Sequence, residues 1–210
     1  MNEHDVISGR PLHIQIVSTY YAPETTGNAP YVTSLSRGLA ALGHEVSVIA
    51  GAPHYPGWRI LPADEWMADE VTSGVHVQRV TSYVPRNPTF PTRVLYELGF
   101  GLRLAAQCRS DVDAVLLVSP SLFGSLVVRA RLAAKRSDLP VIVWVQDLYS
   151  AGVAETPGLA ARVLGAMVAA LEGTLLRSAT AVAVIHDRFR EFASGKLRVR
   201  GDAVTVIRNW

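Results

Sequence analysis

The chain has 210 residues, of which 49% are apolar, and it carries a formal net charge of only +2 and one cysteine, Cys108. A charge so near neutrality argues against nucleic-acid binding, and a lone cysteine excludes a disulfide framework and a cysteine metal cluster. The polar start does not resemble a signal peptide, and every long apolar run is interrupted by charge, so a cytoplasmic protein is expected.

Strand-like and helix-like segments alternate along the chain. Seven apolar segments are predicted as strands: Leu12–Ser18, Glu45–Ala50, Val75–Val80, Ala114–Val118, Pro140–Val145, Thr180–Ile185 and Ala203–Ile207. Helical spacing is found between them in Tyr31–Leu42, Thr92–Arg109, Leu122–Lys135, Leu159–Arg177 and Arg188–Ala193. This alternation predicts a three-layer Rossmann-like α/β domain over residues 12–210, with a mainly parallel sheet of about seven strands. Residues 1–11 are expected to form a flexible tail, and the alternating Val75–Val80 an edge strand.

The first strand runs into a glycine turn at Gly27, and Asn28 is placed to cap a helix whose second residue is Pro30. Free backbone N–H groups at such a helix start bind anions well, because the helix dipole points the same way. An ordinary strand-to-helix turn would give the same short pattern, so both interpretations stay open.

The loop after the second strand contains His54, Tyr55 and Trp58 between stiffening prolines. Flat aromatic faces beside hydrogen-bonding groups suit a sugar ring, although the same residues could pack on the core. The loop lacks the acidic residue that binds a ribose in a dinucleotide site, which counts against NAD.

Polar residues also follow the later strands. Ser119 and Ser121 come after the fourth strand and could cap the next helix or meet a sugar or phosphate. Gln146 and Asp147 follow an entirely apolar strand, and a ligand-facing carboxylate is favoured at that position. His186, at another strand end, is a further candidate, and Asp187 beside it could cap the following helix.

Two further patterns bear on partners. The apolar segment 89–104, with arginines around it, is either a packed helix or a face that meets anionic lipid or a lipid-linked substrate. No metal-ligand spacing is found, so no metal site is expected.

The chain resembles the N-terminal half of the GT-B glycosyltransferases of family 4, the group 1 glycosyltransferases, and within them the colanic acid biosynthesis enzymes. Six segments in the expected order carry the resemblance: Tyr20–Gly27, Leu39–Val46, Ala52–Gly57, Val118–Leu122, Gln146–Tyr149 and Ile207–Trp210.

The resemblance implies a two-lobe enzyme of surface polysaccharide synthesis that retains anomeric configuration and needs no metal or other cofactor. Its N-terminal lobe would hold a glycan or lipid-linked acceptor, and a second lobe, absent from this chain, the nucleotide-sugar donor. Gly27 and Asn28 would face the donor diphosphate. His54, Tyr55 and Asp147 would line the acceptor side, with Asp147 as the catalytic candidate.

Two departures from the family pattern are visible. His186 stands where the family often has serine, and Gln146 replaces an arginine of one branch. Because the donor-binding motifs lie beyond this chain, the fragment is expected to be inactive alone. A nucleotide-sugar 2-epimerase lobe and a non-catalytic glycan-binding or partner-binding module remain as alternatives.

Overall fold

The computed structural model describes residues 10–63, 66, 71–72, 74–119, 121–136, 138–154 and 159–210. The strands are β1 (His13–Ser18), β2 (Glu45–Gly51), β3 (Val71–Thr72), β4 (Val75–Val80), β5 (Ala114–Val118), β6 (Val141–Val145), β7 (Ala181–Val184) and β8 (Val204–Val206). The helices are α1 (Ala29–Ala41), α2 (Phe90–Gln107), α3 (Leu122–Lys135), α4 (Tyr149–Ala154), α5 (Leu159–Arg177) and α6 (Asp187–Gly195).

These strands form one sheet in the order β3-β4-β2-β1-β5-β6-β7-β8. Seven strands are parallel to one another, and only the two-residue β3 is antiparallel to its neighbour. The predicted parallel Rossmann-like α/β fold is therefore confirmed. The strand order reverses direction beside β1, where the chain returns from β4 through α2 to β5.

The sheet is covered on both faces. One face packs against α1 through a core that includes Ile16, Val46 and Val48. The other face packs against α2, α3, α5 and α6 through a larger core. Fully apolar strands such as β6, with the sequence VIVWV, are buried from both sides, which explains their lack of alternation.

Close packing between α2 and α3 depends on two glycines that face each other. A Cβ atom added to Gly101 would lie 2.6 Å from the Cα atom of Gly124. Real side-chain atoms do not approach backbone so closely, so a larger residue at Gly101 would force the helices apart.

One local expectation is wrong, and two further details add to the prediction. β4 is not the edge strand, because β3 pairs with its outer side through Val71 and Thr72. The short α4 was not predicted, since six residues are too few for a helical period to be visible. Of the predicted tail, Arg10 donates a hydrogen bond to Asp113 over 2.5 Å, and residues 1–9 lie outside the described residues.

Candidate active site

A cleft of about 760 Å³ lies at the carboxyl edge of the sheet, beside the point where the strand order reverses. Open α/β sheets bind their ligands at this place, because the loops on the two sides of the reversal diverge. We name its two sides by the strands that support them. The β1–β2 wall comprises residues 19–28 and 52–60. The β5–β6 wall comprises Ser119, residues 121–123 and residues 146–152, with Arg93 and Glu97 of α2.

The β1–β2 wall presents a glycine turn and aromatic rings to the cleft. Gly27 has a φ of +64°, a left-handed conformation that favours glycine. The Tyr55 ring lies over this turn, and its centroid is 5.0 Å from that of Tyr20. Gly27, Tyr20, Tyr55 and Trp58 all line the cleft. The wall therefore offers flat apolar surface beside phenol hydroxyls.

A buried carboxylate joins the two loops of this wall. Glu24 Oε1 accepts hydrogen bonds from the backbone N–H groups of His54 (2.9 Å) and Tyr55 (2.8 Å), and Oε2 accepts one from Tyr21 (3.2 Å). Hydrogen bonds to an ionised acceptor are stronger than those between neutral groups. Glu24 thus fixes the β1 loop to the β2 loop and positions Tyr55.

His54 does not line the cleft, in contrast to its predicted contact with substrate. Its ring is buried; Nδ1 lies 2.8 Å from the carbonyl oxygen of Ala52, and Nε2 lies 3.0 Å from the Tyr96 hydroxyl. A carbonyl can only accept, so Nδ1 carries the proton and Nε2 accepts from Tyr96. Both ring nitrogens therefore have hydrogen-bond partners inside the protein. His54 supports the β1–β2 wall without lining the cleft.

The two walls meet through Asn28 and Ser119. The Asn28 side chain does not cap α1; instead its Nδ2 donates to the Ser119 carbonyl over 2.7 Å. The Ser119 hydroxyl accepts from the backbone N–H groups of Gln146 (2.8 Å) and Asp147 (3.2 Å). Ser119 thereby fixes the loop that presents the predicted catalytic residue.

Asp147 is exposed and lines the cleft. Its Oδ1 accepts a hydrogen bond from the backbone N–H of Leu148 over 2.8 Å, and Oδ2 has no hydrogen-bond partner within the described part of the chain. Gln146 also lines the cleft, and its amide pairs with that of Asn209 through two hydrogen bonds of 2.9 and 3.3 Å. One carboxylate oxygen of Asp147 therefore remains open to a ligand hydroxyl.

A second buried carboxylate lies behind the β5–β6 wall. Glu97 accepts hydrogen bonds from the Tyr149 hydroxyl and, over 3.0 Å, from the backbone N–H of Phe123 in the first turn of α3. Burial raises the pKa of Glu97 to about 7, against the opposing effects of those two donors and of the Arg93 charge. Burial and the nearby carboxylate in turn raise the pKa of Tyr149, which keeps the phenol protonated as a donor.

Arg93 is the cation of this wall. Its guanidinium carbon lies 5.7 Å from the ring centre of Trp58 and 6.0 Å from that of Tyr149. It therefore spans the cleft between the two walls and offers planar donors to an anionic or hydroxyl-rich ligand.

The side chain of Glu172, in α5, caps the first turn of α4. It accepts from the backbone N–H groups of Tyr149 (2.8 Å) and Ser150 (3.2 Å) and from the Ser150 hydroxyl. Burial raises the pKa of Glu172, and the Asp147 charge contributes in the same direction. The short helix after Asp147 is thus stabilised by an acid at its start, in agreement with the helix dipole.

Besides His54, the predicted site residues Ser119, Ser121 and His186 do not line the cleft. The Ser121 side chain is buried and does not cap α3, although Ser121 directly precedes that helix. His186, and not Asp187, caps α6, because its Nδ1 accepts from the backbone N–H of Phe189 over 3.3 Å. Of the predicted residues, the cleft therefore brings together Gly27, Asn28, Tyr55, Gln146 and Asp147.

Sequence reasoning did not identify Arg93, Glu97, Tyr149 and Asn209 as cleft residues. A signal was present for the first pair: Glu97 is the single acid of a long apolar helix, and Arg93 precedes it by one helical turn. Tyr149 and Asn209 stand inside segments that carry the family resemblance, yet nothing in those segments distinguishes a cleft residue from a core residue.

Two absences hold within the residues that the structure describes. In those ranges no group of three or more His, Cys, Asp or Glu side chains could hold a metal ion. In the same ranges no helix is long and apolar enough to cross a membrane.

Comparison with known proteins supports the fold and identifies the family. The sequence profile of the Glycosyl transferase 4-like domain matches residues 26–210. The chain is 33% identical over 172 residues to WcaI of Escherichia coli K12, described as a colanic acid biosynthesis glycosyl transferase. This match covers 80% of the chain and 42% of the relative, so the chain spans about two fifths of that relative's length.

Solved structures show the same fold at low identity. Sucrose-phosphate synthase of Thermosynechococcus elongatus superposes with a TM-score of 0.60 at 14% identity, over 94% of this chain and 48% of the other. UGT2 of Phytolacca americana, solved with UDP-2fluoro-glucose and pterostilbene, superposes with a TM-score of 0.53 at 14% identity, over 94% of this chain and 54% of the other.

The profile match extends over most of the chain, and its segments supply both walls of the cleft. The chain therefore belongs to the Glycosyl transferase 4-like domain family, and it has a Rossmann-like α/β fold.

Proposed function

We propose that this chain is the acceptor-binding lobe of a retaining glycosyltransferase of surface polysaccharide synthesis. The enzyme would move a sugar from a nucleotide sugar to a glycan or lipid-linked acceptor, with no metal or other cofactor. A second lobe would hold most of the donor, so this lobe alone would not catalyse sugar transfer. We place the protein in the cytoplasm, at the inner face of the plasma membrane where the acceptor is lipid-linked.

One observation carries the proposal most directly. In a chain of this family, a single cleft joins a glycine turn at a helix start, an open carboxylate and a wall of aromatic rings. The aromatic faces of Tyr20, Tyr55 and Trp58 suit the apolar face of a sugar ring. The open Asp147 oxygen can accept a hydrogen bond from the attacking hydroxyl and orient it.

The donor side rests on the Gly27 turn. The N-terminus of α1 opens into the cleft beside Gly27 and Asn28, and helix starts stabilise negative charge. A donor diphosphate held there from the opposite lobe would gain charge stabilisation as it leaves. The UDP-2fluoro-glucose solved with the Phytolacca americana enzyme is a nucleotide sugar with such a diphosphate.

Catalysis in this proposal comes mainly from positioning. Two substrates held at reactive distance and orientation avoid much of the entropic cost of a bimolecular step. Ser119 and the α4 cap hold Asp147 in place, so the carboxylate needs little rearrangement when the acceptor binds.

The test uses the two-lobe protein and measures sugar transfer from a panel of nucleotide sugars to glycan and lipid-linked acceptors. We expect Asp147→Asn to lower kcat by about 100-fold or more. Asp138→Asn is the matched control, since Asp138 is exposed at the opposite edge of the sheet, and should change kcat less than about twofold.

Other outcomes would favour the alternatives. Transfer that survives Asp147→Asn would remove this residue from the mechanism but keep the enzyme class. Glycan binding without transfer from any nucleotide sugar would indicate a non-catalytic binding module. Conversion of a nucleotide sugar in the absence of an acceptor would indicate an epimerase. Transfer by the isolated chain at the rate of the two-lobe protein would contradict the division of roles between the lobes.

A further inference from the structure

The outer face of α2 is apolar where a helix of a globular protein is usually polar. Leu95, Leu98 and Leu102 recur at helical spacing, and their exposed fractions are 63%, 39% and 64%. The opposite side of the same helix packs into the core through Phe100 and Leu104. The helix is therefore apolar on both sides, which is unusual for a helix at a protein–water boundary.

Helix α5 shows the same feature. Leu159, Val163, Met167 and Leu171 form one outward stripe with exposed fractions of 77%, 55%, 60% and 37%. Exposed Ala166 and Ala170 lie on the same side. α3 lies between α2 and α5 and contacts both of them. The three helices thus form one layer with two apolar stripes, which we name the α2–α3–α5 face.

The charges of this face have one sign. Outside the cleft, α2 carries Arg103, α3 carries Arg129, Arg131 and Lys135, and α5 carries Arg162 and Arg177. Of these, Arg103, Lys135, Arg162 and Arg177 are exposed. The acids of the same helices, Glu97 and Glu172, are both buried, and each accepts a hydrogen bond from a backbone N–H group. By contrast, α6 on the same side of the sheet carries charges of both signs. The small net charge of the chain conceals this segregation.

We propose that the α2–α3–α5 face docks on the surface of an anionic lipid bilayer. Exposed leucine, valine and methionine side chains enter the boundary between headgroups and acyl chains, and the arginines contact lipid phosphates. A second copy of the chain fits this face poorly, because two such faces would place cations against cations.

The position of the face agrees with access to a membrane substrate. Phe90, Arg93 and Val94, in the first turns of α2, line the cleft, and Leu95 and Leu98 continue along the same helix. A bilayer on the α2–α3–α5 face would therefore lie beside the mouth of the cleft. The docking itself involves residues outside the cleft and does not require the proposed transfer reaction.

The experiment is co-sedimentation of the chain with vesicles of phosphatidylcholine alone or of phosphatidylcholine mixed with phosphatidylglycerol. We expect binding to the anionic vesicles only, with weakening as salt is raised. The double variant Arg103→Gln and Arg162→Gln should bind about 25-fold more weakly, at about fivefold for each cation. Leu95→Ser with Met167→Ser should lower binding by at least tenfold.

Matched controls come from the opposite side of the sheet. Arg37 is an exposed cation of α1, and Leu42, after its end, is 58% exposed. Arg37→Gln and Leu42→Ser should leave vesicle binding unchanged. Circular dichroism of every variant checks the fold, and the wild-type comparison between the two vesicle types is informative without any variant.

Three results would overturn the proposal. The first is equal or absent binding of the wild-type chain to both vesicle types. The second is a loss of binding in the control variants as large as that in the face variants. The third is concentration-dependent dimer formation that the face variants abolish while vesicles have no effect, which would assign the face to a second copy. None of these results depends on whether the protein transfers sugar.

Discussion

The two walls of the cleft are fixed by the same kind of group in different surroundings. In the β1–β2 wall, the Glu24 carboxylate receives three backbone N–H groups from two loops. In the β5–β6 wall, the Glu97 carboxylate receives one backbone N–H and one phenol, and burial outweighs them, so its pKa rises to about 7. The comparison teaches that two buried acids can support neighbouring walls through different donors, backbone N–H groups that join two loops in one case and a phenol with a single N–H in the other.

The largest expected effect on the free energy of unfolding comes from removing the carboxylate that joins the loops of the β1–β2 wall. Glu24→Ala should lower the free energy of unfolding by about 4 kcal/mol, because three backbone N–H groups lose a charged acceptor inside the protein. Glu24→Gln keeps one acceptor oxygen for His54 and Tyr55 and should cost about 2 kcal/mol. Urea unfolding measures both, and Glu191→Ala on the exposed side of α6 is the control. A Glu24→Ala protein as stable as the control would refute the role of Glu24.

The next effect concerns pH and the β5–β6 wall. The pKa of Glu97 is raised in the folded state, so the folded protein holds this proton at pH values where the unfolded chain has released it. Its contribution to stability is therefore present below about pH 4.5 and decreases by about 3 kcal/mol as pH rises to about 7.

Urea unfolding of the wild type and Glu97→Gln between pH 4.5 and 8 tests this decrease. The difference in unfolding free energy between the two proteins should change with pH in that window and level off above it. A difference that stays constant from pH 4.5 to 8 would show that Glu97 does not titrate there. Subtracting the two proteins removes the contributions of other acids such as Glu172.

The smallest expected effect concerns the helix contact that supports the β5–β6 wall. Gly101→Ala should lower the free energy of unfolding by about 2 kcal/mol, because the new Cβ atom meets the backbone of Gly124. Gly99→Ala on the same helix has open space and should stabilise the protein by about 0.5 kcal/mol or more. Equal effects of the two substitutions in thermal or urea unfolding would mean that α2 and α3 can separate at no cost.

The larger elements were predictable because their apolar periods are long. The bounds of α3 and α5 agree with the sequence prediction to the residue, and the parallel sheet follows from apolar strands separated by helices. The two-residue β3 and the six-residue α4 were missed, since their stability comes from tertiary contacts and not from a local pattern. Asn28 is expected to cap α1, but its Nδ2 donates to the Ser119 carbonyl and its side chain makes no cap hydrogen bond with α1.

The cleft was only half predictable from the sequence. Residues that follow strands, such as Gly27 and Asp147, reach it because parallel strands end at a common edge. His54 also follows a strand, yet it turns inward to Tyr96, a residue 42 positions away that no local pattern connects to it. Arg93 and Glu97 reach the cleft from a helix whose sequence predicts only core packing or contact with lipid. The catalytic and binding roles of all these residues stay predictions.

The last residue of the chain gives the β5–β6 wall an optical probe. The indole rings of Trp210 and Trp144 lie nearly parallel, with an interplanar angle of 12° and centroids 6.3 Å apart. Asn209, the residue before Trp210, pairs with Gln146 at the cleft. Two indoles in this arrangement couple their electronic transitions, so near-ultraviolet circular dichroism of the native chain should record any ligand that separates the Gln146–Asn209 amides, with no attached label.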